Sequence, residues 1–195
     1  MAELTYTDFD REIWDKDLED FVPDTVYDMH THMWSEAHCG SVGGPPVGLR
    51  LEIDFRAHRD WAQKLYPGRE FHLLVLGTPI PGIDYEGHND WMAAELKADP
   101  ASAINMLVSP AMTPEYIAEQ VDKHKFLGLK PYRTFAPDPV NGRIKDFLPE
   151  SFIEVAHDKN LAITMHLAKP TGPADAENQR DLERYTREYP GAQWI

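Results

Sequence analysis

Short apolar runs alternate with amphipathic segments along most of this 195-residue sequence. The apolar runs predict strands at 71–76, 103–108, 127–130 and 161–166, with further strands starting at 25–28 and 192–195. The segments between them have helical spacing and predict helices at 8–21, 54–66, 85–98, 113–123, 149–159 and 175–189. Because strands that alternate with helices form βαβ units, the sequence predicts an α/β fold with a parallel sheet. The continuous apolar strands favour a sheet that is covered on both faces.

The composition excludes several classes of protein. The chain has 33 acidic and 19 basic side chains, a net charge of −14, and no basic stripe that could meet nucleic acid or an anionic membrane. No apolar run is long enough for a membrane span, and the N-terminus does not resemble a signal peptide. Cys39 is the single cysteine, which fits a reducing cytoplasm. We therefore expect a cytoplasmic protein whose partner is a small-molecule substrate, and self-association into a homo-oligomer is compatible with the sequence.

Two histidines follow the first predicted strand. Side chains alternate along a strand, so Asp28, His30 and His32 are expected to share one face. Three unpaired polar groups that point into an apolar interior would be costly, and a metal ion would remove that cost. The alternative is a solvent-exposed strand end whose histidines have backbone and hydroxyl partners. The strand-end position favours a metal site, because function collects at the carboxyl ends of parallel strands.

The fourth and fifth predicted strands also end in candidate groups. His166 follows the fifth strand and is expected at the same level of the sheet as His30 and His32. Three protein ligands with an open position are typical of a catalytic metal site. Lys130 ends the fourth strand, and it is interpreted as a carbamate-type bridging ligand, a contact for a substrate anion, or a surface residue with a buried stem.

These strand ends resemble the amidohydrolase superfamily, in its amidohydrolase-related (amidohydrolase 2) branch. The residues that carry the resemblance are Val26–His32, Gly128–Lys130, Leu161–His166, Asp181–Tyr185 and Tyr189–Ile195. The resemblance covers nearly the whole chain from about residue 21, and it implies a metal-dependent TIM-type (β/α)8 barrel.

The resemblance also implies roles for these residues. His30 and His32 would bind one divalent ion, with His166 as a third ligand or close partner, and Asp28 would orient a ligand histidine. Imidazole and oxygen ligands suit zinc, manganese or iron, and zinc is frequent in the family. The metal would polarise a carbonyl and activate water, so the leading hypothesis is a hydrolase of lactones, esters or amides. Asp28, Lys130 and His166 are the catalytic candidates.

Three alternatives stay open. A metal-dependent decarboxylase or other lyase of the same family would use Arg133 or Lys130 to hold the substrate anion. A non-catalytic chain would be a metal-binding or small-ligand-binding α/β fragment. An open flavodoxin-like sheet would place a ligand at a reversal of strand order instead of a histidine cluster. In the long glycine- and proline-rich connection from 33 to 53, Trp34 and Arg50 are candidate substrate contacts, alongside Arg133.

The length is short for the fold that the resemblance implies. A (β/α)8 barrel typically has roughly 250 residues, whereas this sequence supplies five to six βα units. Family members carry a further histidine after strand six and an aspartate after strand eight, and both positions would lie beyond residue 195. We therefore expect a partial barrel from an N-terminal fragment of an enzyme, which could be inactive by itself. Residues 1–22 are interpreted as a helical extension and 23–195 as the barrel part.

Overall fold

The computed structural model describes residues 5–39 and 52–195. Six parallel strands form one sheet in the order β1-β2-β3-β4-β5-β6. The strands are β1 (Thr25–His32), β2 (Glu70–Leu76), β3 (Ala103–Leu107), β4 (Gly128–Lys130), β5 (Ala162–Ile163) and β6 (Gln193–Trp194). Since strand order follows chain order without a reversal, the flavodoxin-like alternative is wrong. The sheet curls into part of a (β/α)8 barrel, as predicted.

Helices connect successive strands. They are α1 (Asp8–Ile13, continued by a π-helical segment Trp14–Leu18), α2 (Glu36–Cys39), α3 (Phe55–Leu65), α4 (Tyr85–Glu95), α5 (Pro114–His124), α6 (Glu150–Asp158) and α7 (Ala176–Glu188). Five of them begin with a side chain that accepts a hydrogen bond from a first-turn amide, at Thr7, Asp54, Asp84, Thr113 and Asp175. These local signals explain why the predicted helices 54–66, 85–98, 113–123 and 175–189 agree closely with the structure. No helix among the described residues is long and apolar enough to cross a membrane.

The main core lies between the sheet and its helices. Leu73, Val75, Met106 and Leu129 belong to it and are at most 3% exposed. A second, smaller cluster of Ile83, Leu107 and Tyr132 is separate from that core. Because successive strand residues face opposite ways, the residues that alternate with the helix-side core line the inner face of the sheet.

The fifth strand is much shorter than predicted. The sequence predicts 161–166, whereas β5 contains only Ala162 and Ile163. The neighbouring β4 ends at Lys130 because Pro131 follows it and has no N–H to continue the ladder. His166 therefore lies beyond the end of its strand instead of within it.

Candidate metal centre

A β-bulge in β1 determines where its polar side chains lie. Asp28 pairs with Leu73 and Thr31 pairs with Val75, so β1 has one residue more than β2 between these pairs. Leu73 belongs to the helix-side core, whereas His32 pairs with Leu76, which alternates with that core. The prediction that Asp28 shares a face with His32 is therefore wrong, because the extra residue breaks the alternation. Asp28 keeps a local contact, since its Oδ1 accepts a hydrogen bond of 3.0 Å from the His30 amide.

His30 and His32 lie close together at the end of β1. Their ring centroids are 5.5 Å apart and their planes are inclined by 69°. His32 Nδ1 lies 3.2 Å from the Gly77 carbonyl oxygen. A carbonyl oxygen only accepts, so Nδ1 carries the hydrogen and Nε2 has a free lone pair. Burial lowers the pKa of both rings, and the positive charge of Lys130 lowers it further. Both imidazoles are therefore neutral at pH 7, which is the state that binds metal ions.

Tyr132 contacts both His32 and His166, and sequence reasoning missed it. Its hydroxyl donates to the Gly77 carbonyl oxygen at 3.0 Å, and its oxygen lies 3.3 Å from His32 Nδ1. Its ring centroid is 5.4 Å from that of His166 and 6.1 Å from that of His32. Burial raises the pKa of Tyr132, so the hydroxyl stays protonated. The available signal was its position two residues after Lys130, which gives both residues the same face of an extended chain.

The three predicted histidine ligands do not form one cluster. Among residues 5–39 and 52–195, no group of three His, Cys, Asp or Glu side chains is arranged to hold a metal ion. The ring of Tyr132 packs against both His32 and His166. The structure thus supplies a pair of imidazoles, and the metal-binding role of His166 stays a prediction.

Lys130 is buried inside the sheet. Lys130 is 1% exposed, and its Nζ lies 4.9 Å from the centroid of the Tyr132 ring. In the described part of the chain, no carboxylate lies within ion-pair distance of Nζ. Removal from water lowers the pKa of Lys130 to about 8. The interpretation of Lys130 as a surface residue is therefore wrong.

The substrate-contact candidates have different positions. The Trp34 ring centroid is 6.0 Å from that of His32, and the Trp34 backbone pairs with Ile53. Arg133 follows β4. Burial is the largest cause of the lowered pKa of His166, and the positive charges of Lys130 and then Arg133 lower this pKa further. Arg50 lies outside the described residues.

A second residue that sequence reasoning missed is His58 in α3. Its Nε2 donates to the His32 carbonyl oxygen at 2.9 Å, and burial lowers its pKa. The sequence predicted a helix over 54–66 but gave no signal for this contact. His58 fixes the backbone at the end of β1, where the histidine pair lies.

Comparisons with known proteins identify the fold. No protein-family model and no curated protein matches this chain. Among solved structures, 5-carboxyvanillate decarboxylase from Sphingomonas paucimobilis is similar with a TM-score of 0.60 and 14% identity, over 88% of this chain and 67% of that one. A Staphylococcus aureus protein provisionally described as an amidohydrolase has a TM-score of 0.58 and 11% identity, over 88% and 66% of the two chains. Dihydroorotase from Saccharomyces cerevisiae has a TM-score of 0.51 and 16% identity, over 88% and 47%.

The chain therefore spans about two thirds of the first two structures and about half of the third. TM-scores of 0.51 to 0.60 at identities of 11% to 16% show a common fold and nothing finer. That fold is the one that the resemblance to the amidohydrolase superfamily predicts. The strand order and these similarities together identify the chain as part of a (β/α)8 barrel of the kind found in these enzymes.

Proposed function

We propose that this chain carries the metal-binding part of a divalent-metal-dependent enzyme of the amidohydrolase type. The observation that carries the proposal is the histidine pair at the end of β1. The rings of His30 and His32 lie 5.5 Å apart, and the contact of His32 Nδ1 with Gly77 leaves Nε2 free to coordinate. A ring nitrogen held by a backbone carbonyl while the other nitrogen is free is typical of metal-ligating histidine.

The two imidazoles of the histidine pair supply part of the ligand set that a first-row divalent ion needs. His30 and His32 would hold it, and neutral imidazole suits zinc, manganese or iron. When bound, such an ion supplies polarisation of a substrate carbonyl and activation of water. Tyr132 and Gly77 orient His32 through their contacts at Nδ1. His166, with its pKa lowered by burial and by two neighbouring cations, is neutral at pH 7 and can accept a proton.

Hydrolysis of a lactone, ester or amide is the first reaction that we propose. It needs a carbonyl held beside the histidine pair and a group that accepts the proton of water. His166 is the candidate acceptor of that proton, because its ring contacts Tyr132, whose ring also contacts His32.

Decarboxylation is the second candidate, and the cationic groups beside the site favour it. Lys130 and Arg133 have no ion-pair partner among the described residues, although the chain has a net charge of −14. Unpaired cations at a strand end would attract and hold a substrate carboxylate. A decarboxylase is also one of the structures that shares the fold.

Metal analysis of the purified protein tests the common part of the proposal. We expect about one equivalent of a divalent metal in the wild type, and loss of most of it in His30→Ala and in His32→Ala. His124→Ala is the matched control, because His124 lies at the end of α5 and contacts Asp90. This variant is expected to keep its metal. Absence of metal from all four proteins would overturn the proposal and favour a chain that binds a small ligand without catalysis.

An activity panel distinguishes the two reactions. The metal-loaded protein is assayed for lactone, ester and amide hydrolysis and for carbon dioxide release from small aromatic acids. Hydrolysis that disappears in His32→Ala supports the hydrolase, and carbon dioxide release without hydrolysis reverses the order of the two candidates.

A further inference from the structure

A single peptide unit beyond the end of β2 connects helix α4 with the histidine pair. It joins Gly77 to Thr78, directly after β2 ends at Leu76. On one side, the Gly77 carbonyl oxygen lies 3.2 Å from His32 Nδ1. On the other side, the Thr78 N–H donates to His88 Nε2 at 3.0 Å. Because the C=O and N–H of a trans peptide point in opposite directions, one continuous row of hydrogen bonds runs from His88 to His32.

The hydrogen bond between Thr78 and His88 is closed off from water. Both residues are at most 1% exposed. Burial, and then the nearby His38, lowers the pKa of His88 to about 3, so its ring is neutral at pH 7 and Nε2 has a lone pair for the Thr78 N–H. If this acceptor were lost, water could not replace it, and a buried N–H would stay unpaired unless the peptide moved.

Close packing joins the peptide to the side chain of His88. A Cβ atom on Gly77 would lie 2.8 Å from Leu107 Cβ and 3.3 Å from His88 Cδ2, so only glycine fits without a shift of its neighbours. The Thr78 hydroxyl donates to the Met33 carbonyl oxygen at 3.0 Å and holds the segment against the end of β1. A change of the His88 side chain therefore acts directly on the peptide that carries the Gly77 carbonyl.

The Gly77 carbonyl decides which nitrogen of His32 can bind a metal ion. It accepts hydrogen bonds from His32 Nδ1 and from the Tyr132 hydroxyl, the latter at 3.0 Å. A carbonyl that turned away would allow the hydrogen of His32 to move to Nε2, and a protonated nitrogen does not coordinate. Hydrogen bonds in series polarise one another, so the bond to His88 also makes the Gly77 oxygen a better acceptor.

We propose that His88 is a positioning residue for the histidine pair: through the Gly77–Thr78 peptide it holds the carbonyl that keeps His32 in the tautomer with hydrogen on Nδ1. His88 itself contacts neither a metal ion nor a substrate. The proposal deepens the proposed function and rests on it, because the tautomer matters for the binding of a metal by His32.

Nitrogen NMR of the imidazole rings in the metal-free whole chain tests the proposal, because ring nitrogen shifts distinguish the two tautomers. His32→Ala identifies the signals of His32. We expect the wild type at pH 7.5 to carry the hydrogen on Nδ1. In His88→Leu, which has no acceptor, the two nitrogen shifts of His32 should move toward the average of both tautomers. His88→Gln can still accept the Thr78 N–H and should retain the wild-type shifts.

Asn89→Leu is the matched control. Asn89 is the next residue of α4, it is 2% exposed, and its side chain forms two hydrogen bonds of 3.0 Å with the backbone of Leu107. Its replacement removes buried hydrogen bonds between α4 and a strand but leaves the Gly77–Thr78 peptide paired, so the His32 shifts should not change. Zinc affinity, measured by competitive chelation, should fall about tenfold in His88→Leu and stay at the wild-type value in His88→Gln.

Three results would overturn the proposal: wild-type His32 shifts in folded His88→Leu, the same change in Asn89→Leu, or no restoration in His88→Gln. Circular dichroism shows whether each variant is folded. A scalar coupling across the hydrogen bond between the Thr78 nitrogen and His88 Nε2 is expected in the wild type, and its absence would refute the proposal without any substitution. If no variant and no wild type holds metal, the proposed function fails, whereas a tautomer change confined to His88→Leu still supports the positioning of His32.

Discussion

His88 should make the protein sensitive to mild acid. It lies within α4 and is 0% exposed. Its Nε2 accepts a hydrogen bond of 3.0 Å from the Thr78 amide, so Nδ1 carries the hydrogen and has no partner in the described structure. Burial, followed by the nearby His38, lowers the pKa of His88 from 6.5 to about 3.

The size of the effect follows from this difference in pKa. The unfolded chain binds the proton near pH 6.5, whereas the folded chain binds it near pH 3. The contribution of neutral His88 to the free energy of unfolding is therefore fully present above about pH 6.5 and is lost as the pH decreases toward 3. Each pH unit in this interval costs about 1.4 kcal/mol, so His88 alone should remove about 2 kcal/mol from the free energy of unfolding by pH 5.

His88→Gln isolates this contribution. A glutamine side-chain oxygen can still accept the Thr78 N–H, but the side chain does not titrate. Urea unfolding of wild type and variant is measured at pH 7.5 and at pH 5. For each protein, the decrease in the free energy of unfolding between the two pH values is determined, and the two decreases are compared. We expect the wild type to lose about 2 kcal/mol more than the variant. Equal losses in the two proteins would refute the assignment of acid sensitivity to His88.

Three further predictions concern other polar groups. Tyr132→Phe removes a hydroxyl beside His32 Nδ1, so metal affinity measured by competitive chelation should fall about tenfold, with an unchanged value contradicting the orienting role. Lys130→Met removes a buried charge whose pKa falls from 10.5 to about 8, and should raise the free energy of unfolding at pH 7 by up to about 3 kcal/mol. Wild type should also gain stability between pH 8 and 10.5 while this variant does not. Glu150→Gln weakens the paired hydrogen bonds from Arg184 and should cost about 1 kcal/mol at pH 7. The pKa of Glu150 is lowered to about 2, so this cost should disappear as acid unfolding curves pass from about pH 4.3 down toward 2.

The elements of the barrel were predictable because their signals are local. Thr113 followed by Pro114 starts α5 as its sequence predicts, since the cap and the first-turn proline act within a few residues. The apolar run at 71–76 became β2 with one residue added, because a buried strand needs apolar side chains on both faces. The resemblance to a known superfamily then predicted the barrel, and the strand order confirmed it.

The site itself depended on contacts between distant parts of the chain. Sequence alternation predicted one face for Asp28 and His32, and the register against β2 separated them through a bulge. The burial of Lys130 and the contacts of Tyr132 with two histidines also required the folded sheet.

The sequence by itself determined the order and type of the βα units and the identity of the histidines at the strand ends. Only the tertiary structure decided which side chains meet, because register, bulges and strand ends are set by pairing with a neighbouring strand. His30 and His32 meet at the end of β1, and His166 lies three residues beyond the end of β5. Periodicity along one chain segment carries no information about where its partner strand stops.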